Sequence, residues 1–378
     1  MKGILYIQSF WKQSHMWRIL QSLFVLCLAI SHPTFGFDFI WDVDSSSNIS
    51  TPVGVTRGNR GLPITKYSHG YNGNATNIYG GKGLMPHFVG TTVINGGLPQ
   101  LGSIEDHITV YKRDIAALIP LTSYVGYCLI DYEWWRASWN ETDPTTRSRS
   151  KELEGGNETA AKLSYENAAR AFMLATIQAT REVRPGCKVG WYGYPKTQLP
   201  FVPSPAYKKW CINNPGACWF EGYEVEKSAS IQRLLNEEQL WLYEALDVIT
   251  PSIYLGILPN NTTLEKNLMY INTSLAEALR ISALARNHPP VMPYTWSFYN
   301  NYWETKIGPR EPLTLADARA ELLQPYLMGC KGLFLWGAIE TTGDLSNTTQ
   351  GFLGTQQWVD GVLSVVLKEL TTIMQRRL

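Results

Sequence analysis

Asp131 and Glu133 stand two residues apart where the apolar run of Leu129-Ile-Asp-Tyr-Glu-Trp-Trp-Arg-Ala-Ser138 ends, and Trp134, Trp135 and Arg136 follow at once. Paired carboxylates do acid–base work, because a charged neighbour lets one of them keep its proton near neutrality. Aromatic faces beside them suit sugar rings, so this is the layout of a sugar-cleaving site. The aromatic and β-branched content of Tyr124 to Tyr132 predicts a strand, on which residues i and i+2 face the same way. Both acids would then enter one pocket with their Cβ atoms roughly 6.5–7 Å apart, close enough for the carboxyls to share a proton.

The elements that must hold such a site are legible in outline. The chain has 378 residues, 44% hydrophobic and 12% aromatic, with formal charge +1, so it can bury a large core and is neither disordered nor a basic nucleic-acid binder. Short apolar runs at Phe37–Trp41, Thr76–Tyr79, Tyr124–Tyr132, Lys188–Tyr194, Asp247–Tyr254, Val291–Ser297 and Gly332–Trp336 read as strands. Helical patterns fall between them near Ile104–Leu118, Leu163–Val183, Ile231–Leu246, Leu264–Arg286 and Leu315–Met328. Ser103 and Thr314, each with an acid three residues on, are predicted N-caps. The polar tract Thr145–Glu158 reads as a solvated loop. Strand followed by helix, repeated about seven times, argues for an α/β chain folded as one distorted TIM-like (β/α) barrel of seven or eight parallel strands. An open doubly wound sheet is the alternative, but the chain carries no glycine-rich phosphate loop to mark one.

The first 36 residues have the form of an export signal, with Lys2, Lys12 and Arg18 ahead of the apolar run Leu23–Ile30. That run is too short to span a bilayer, and the C-terminal segment with Lys368, Glu369, Arg376 and Arg377 is unlike a lipid-anchor tail. The expected organisation is a signal peptide over 1–36 and a catalytic barrel over 37–378, acting as a monomer that is secreted or held in the lumen of the secretory route, lysosome included. Asn-x-Ser/Thr sequons begin at Asn48, Asn74, Asn140, Asn157, Asn260, Asn261, Asn272 and Asn347, which fits that route. Loss of Cys27 with the signal leaves Cys128, Cys187, Cys211, Cys218 and Cys330, an odd number. Cys211 and Cys218 bracket the turn-forming Asn-Asn-Pro-Gly and are the best disulfide pairing. Cys128, on the strand face opposite the acids, reads as a buried small hydrophobe. The six histidines are scattered without metal-site spacing.

In such a barrel the chemistry belongs at the C-terminal ends of the strands. Those ends carry Asp131-Tyr-Glu133, Trp191-Tyr-Gly-Tyr-Pro195, Pro251-Ser-Ile-Tyr254 and Leu335-Trp-Gly337. Together with Asn95-Gly-Gly-Leu-Pro-Gln100 and in this order, these segments resemble the animal and venom hyaluronidase family of glycoside hydrolases over most of the chain. The resemblance implies cleavage of β-1,4 bonds after N-acetylhexosamine in a glycosaminoglycan, hyaluronan or chondroitin, without a cofactor. It implies that Glu133 is the proton donor and that the substrate's acetamido oxygen, not a second carboxylate, is the nucleophile. Asp131 would orient the acetamido N–H, Tyr254 would bond its carbonyl oxygen, and Trp336 would wall its methyl pocket. Tyr192 would contact the same sugar, Arg136 would fork onto a glucuronate carboxylate, and Tyr79 would line the groove. The chain departs from the family where a cysteine usually follows the Tyr-Gly-aromatic-Pro motif: Lys196 and Thr197 stand there. After loss of the signal no cysteine precedes Cys128 to tie the N-terminal stretch to the barrel's end, and no cysteine-rich C-terminal module is expected.

Blander readings exist for the same residues. Two buried acids can stabilise a strand end, Tyr254 and Trp336 can be core, and an arginine one turn from a carboxylate can merely pair with it; Trp134 and Trp135 read as packing rather than sugar platforms. Two other functions use the same fold: a catalytically silent glycan-binding or adhesion protein, which would most simply have lost Asp131 or Glu133, and a hydrolase of a neutral N-acetylated polymer, which would not need Arg136.

Overall fold

The computed structural model describes residues 36–43, 64–67, 75–79, 82–197, 226–255, 264–299, 312–337 and 357–376. Eight of its strands run parallel: β1 (Asp38–Val43), β2 (Ile64–Tyr67), β3 (Ala75–Tyr79), β6 (Tyr127–Asp131), β7 (Lys188–Tyr192), β8 (Val248–Thr250), β9 (Tyr294–Trp296) and β10 (Gly332–Gly337). One sheet has the order β2-β1-β10-β9 and the other β3-β6-β7-β8. Parallel bridges Ile249↔Val291 and Ser252↔Tyr294 join β8 to β9. The strands therefore follow one another around a TIM-like barrel, and among the described residues no pairing joins β2 to β3. A short antiparallel hairpin, β4 (His87–Val89) with β5 (Thr92–Ile94), lies outside it.

Alternation along each strand sorts the core into two layers. Ile40, Tyr127, Leu129, Val248, Met292, Tyr294 and Phe334 fill the barrel interior, while Phe39, Cys128, Ile130, Trp191, Ile249, Leu333 and Leu335 face the surrounding helices. Gly190 is needed on the inner face of β7: a Cβ there would sit 2.8 Å from both Leu129 and Val248.

The outer helices are α1 (Ile104–Leu118), α2 (Pro144–Leu153), α3 (Glu158–Val183), α4 (Glu226–Glu238), α5 (Leu240–Tyr243), α6 (Leu264–Leu284), α7 (Leu315–Leu327) and α8 (Ser364–Gln375). Ser103 and Thr314 cap α1 and α7 as expected, each side chain accepting the backbone N–H three residues on at 3.2 Å. Thr145–Glu158 is not a loop. Asp143 accepts from Thr145 N and Thr146 N at 2.9 and 3.0 Å, Pro144 opens α2, and Asn157 caps α3. A good N-cap with proline at the first helical position outweighs the polar composition there. The strand–helix reading did not include β2, the hairpin, or α8, which Arg319 ties to α7 by a fork of 2.9 and 2.6 Å onto Glu369. No helix among the described residues is long and apolar enough to cross a membrane.

Candidate active site

The last inward position of each strand supplies the site. Asp42 ends the inner row of β1, Asp131 that of β6, Tyr192 that of β7, Trp296 that of β9 and Trp336 that of β10; Asp42 and Trp296 both stand in register with Trp336. Tyr254 keeps the same parity four residues past Thr250 and is buried. Its ring stacks on Trp336 at 6.1 Å and 25°, and lies 5.7 Å from Trp296 and 6.3 Å from Tyr192. Trp296 and Trp336 are 5.0 Å apart, and Tyr192 meets Tyr294 edge-on at 5.1 Å. The result is an aromatic wall with two buried carboxylates on the inner row, Asp131 and Asp42.

Electrostatics tie these groups together. Burial first, then the Tyr192 hydroxyl, its hydrogen bond, and Asp131 hold the Tyr254 phenol far above its ordinary titration range. Tyr192 is raised by burial, then by Glu133 and Asp131, and Tyr294 by burial and by Asp42, to which it donates at 3.0 Å. All three phenols therefore stay protonated donors at any working pH.

Glu133 stands at the edge of this cup, where it acts on Tyr192 more strongly than Asp131 does. The strand ends at Asp131, and just beyond it Tyr132 and Trp135 both donate to the carbonyl of Pro86, at 2.6 and 2.7 Å. The strand was expected to run one residue further, to Tyr132; Asp131 is 9% exposed, while the Glu133 side chain is half exposed, at 50%. Glu133 Oε1 meets Arg136 Nη2 at 3.4 Å. The turn carrying Arg136 is fastened from behind: its N–H donates to Thr142 Oγ1 at 3.2 Å, its carbonyl accepts from Tyr165 at 2.7 Å, and those two hydroxyls are 2.6 Å apart. The guanidinium lies 5.8 Å from the Tyr194 ring centre. Burial opposes its charge, and Tyr194, Glu133 and Glu141 more than restore it.

Of the residues singled out in the sequence, Asp131, Tyr192, Tyr254 and Trp336 come together, and Glu133 with Arg136 stands at their edge. Tyr79 is in register with Asp131 on the neighbouring strand. Trp135 is buried as expected, but Trp134 is half exposed and stacks on His87 at 4.4 Å. Asn157 and Asn272 are exposed and Asn140 is partly buried; Asn48, Asn74, Asn260, Asn261 and Asn347, like Cys211 and Cys218, lie outside the described residues. Cys128, Cys187 and Cys330 are buried and free. Sequence reasoning missed Trp296, Tyr294, Asp42 and Lys196. The first two sit on a strand that was read correctly, and the rule that exposed Trp336 would have found Trp296. Asp42 lay one residue beyond the predicted end of β1.

The sequence model of the family described as hyaluronidase matches residues 64–375. This chain belongs to the hyaluronidase family. It is 28% identical over 326 residues to a hyaluronidase of Crotalus adamanteus, an alignment covering 82% of this chain and 66% of that one. With hyaluronidase-1 of Mus musculus it is 28% identical over 306 residues, covering 77% and 59%. Bee venom hyaluronidase superposes with a TM-score of 0.67 at 24% identity, covering 88% of this chain and 99% of that one, and its complex with a hyaluronic acid tetramer superposes at 0.66 and 22%. The bee venom likeness shows the hyaluronidase barrel fold. The chain spans 66% or less of the length of these two curated hyaluronidases.

Proposed function

We propose that this protein is an endo-β-N-acetylhexosaminidase that cleaves β-1,4 bonds of hyaluronan or chondroitin with retention, using the substrate's acetamido group as nucleophile. One observation carries the reading: the buried carboxylate of Asp131 acts on a protonated Tyr254 whose ring packs against Trp296 and Trp336, while the second buried acid of the inner row, Asp42, is engaged by Tyr294. A classical retaining pair needs a second carboxylate ~5–5.5 Å away across the bond, whereas Glu133 follows Asp131 by two residues on the same chain segment and is half exposed beside Arg136. The cup suits an acetamido group better. Asp131 accepts its N–H, Tyr254 donates to its oxygen, and the indoles enclose its methyl. As that oxygen attacks the anomeric carbon, the N–H grows more acidic, so both hydrogen bonds tighten in the transition state.

Glu133 is the proton donor to the leaving oxygen, and its contact with Arg136 must open for the carboxyl to face that oxygen. Tyr192 holds the same sugar, Tyr79 lines the groove, and Arg136 engages an acidic sugar. The protein is proposed to act as a monomer outside the cell or in the secretory lumen, after loss of residues 1–36, with glycans on its exposed sequons. The test is size analysis of hyaluronan and chondroitin incubated with wild type and with Glu133→Gln. Cleavage by wild type alone, giving even-numbered oligosaccharides with N-acetylhexosamine at the reducing end, is the expected result. Equal cleavage by the variant removes Glu133 from the chemistry.

A further inference from the structure

Arg136 is not the sole cation on the rim. The chain leaves β7 through Gly193, at φ +77°, and a cis Tyr194–Pro195 bond, and Lys196 then folds back over Gly193. A Cβ at position 193 would lie 3.3 Å from the Lys196 Nζ. The loop is held in place, since the Lys196 carbonyl accepts from Asn236 Nδ2 at 3.2 Å and Thr197 donates to Ser274 at 2.6 Å. Burial, then repulsion by Arg136, pulls the Lys196 ammonium down to about 8, against the attraction of Glu133, Glu141 and Asp131. Of these acids, Glu133 meets Arg136, and Glu141 accepts from Gln232 and Gln239 at 2.7 and 3.1 Å. Arg136 Nη1 is buried without a hydrogen-bond partner among the described residues. A buried guanidinium donor without a partner, beside a second cation, costs free energy unless an anion joins the two.

We propose that Lys196 and Arg136 together form a two-cation subsite beside Glu133 for an acidic group of the polysaccharide, a uronate carboxylate or a sulfate ester. This rests on the hydrolase reading and deepens it. Nη1 and Nζ would each donate to a different oxygen of the anion, a charge-assisted bridge that a neutral polymer cannot make. The subsite exists only while Lys196 is protonated.

The experiment uses the secreted protein, with Lys196→Met, which keeps the aliphatic stem, and Lys196→Arg, which keeps the charge. Values of KM and kcat are measured on hyaluronan, unsulfated chondroitin and chondroitin sulfate. Binding of the same oligosaccharides is measured by calorimetry at several salt concentrations, in a Glu133→Gln background. Loss of one charge-assisted bond predicts about tenfold weaker binding and higher KM for Lys196→Met, with kcat changed much less and recovery in Lys196→Arg. The salt dependence of binding should flatten in Lys196→Met. Wild-type KM should rise as pH passes about 8, where the ammonium loses its proton, and this rise should be absent in Lys196→Met. A loss on every polymer assigns the carboxylate, and a loss confined to chondroitin sulfate assigns the sulfate. Unchanged binding and salt dependence in Lys196→Met overturns the subsite while leaving hydrolysis standing. Absence of cleavage by wild type, with Lys196-dependent binding intact, overturns the hydrolase reading and leaves the subsite.

Discussion

Replacing Tyr254 by Phe removes one oxygen from the centre of the proposed site and little else. The ring keeps its contacts with Trp336 at 6.1 Å, Trp296 at 5.7 Å and Tyr192 at 6.3 Å, and the residue is buried in an otherwise apolar cluster. The resting protein loses one phenol–phenol hydrogen bond with Tyr192, a net cost of about 0.5–1.5 kcal/mol. In a chain of this size that lowers Tm by only a few degrees. Turnover should suffer far more. If the Tyr254 hydroxyl donates to the acetamido oxygen as it becomes the nucleophile, its loss removes a preorganised donor worth about 3 kcal/mol in the transition state, a fall in kcat of about 10²–10³. The substrate is gripped at many other points, so KM should move less than kcat. Reducing-end release from the polymer gives both constants, and thermal melting by circular dichroism gives the stability. A kcat within threefold of wild type, with the fold intact, would refute the claim that the phenol serves the reacting group; equal losses in stability and rate would mean that the hydroxyl organises the wall rather than the chemistry.

Glu321 provides a stability test with a definite sign. It is fully buried, the backbone N–H of Trp296 donates to it at 2.7 Å, and burial raises its carboxyl well above the ordinary range. The folded state therefore holds a proton that the unfolded chain, with an ordinary pKa of ~4.3, releases. Stability from this group is fully present below that value and declines as pH rises toward the folded pKa. Glu321→Gln keeps the acceptor oxygen and needs no proton, so its melting temperature should exceed that of wild type at neutral pH, the gain vanishing near pH 4; a pH-independent difference excludes the linkage. Thr142→Val removes the hydroxyl that binds the Arg136 turn to Tyr165, which should cost about 1–3 kcal/mol and raise KM as Arg136 loosens. Since the change also destroys the Asn140 sequon, Asn140→Gln is the control: it removes the same acceptor site for a glycan and should leave KM unchanged.

How much of this was legible in the sequence depends on the range of the interactions that decide each feature. Period-2 alternation is local, and it correctly set Asp131 and Leu129 inward and Cys128 outward. N-caps are local too, which is why α1 and α7 begin where Ser103 and Thr314 predict. The contacts at the end of β6 are not local: just beyond it, donors from Tyr132 and Trp135 reach back 46 and 49 residues to one carbonyl at Pro86. Nothing near Tyr132 announces that contact, so the strand was read as far as Tyr132, one residue past its end at Asp131. The same limit hid Asp42. Its partner, Tyr294, is 252 residues away, and only closing β1 against β10 brings the two together. What the sequence does expose is a rule that holds for Asp42, Asp131, Tyr192, Trp296 and Trp336 alike. Below the last inward residue of a strand, side chains are covered on every side and must be apolar or fully paired. At that residue the backbone is still rigid, but one end of the side chain faces the groove, so a carboxylate, phenol or indole can be held in fixed geometry without being sealed off from a ligand. The parity of the strand and the position of its end thus carry most of the functional information.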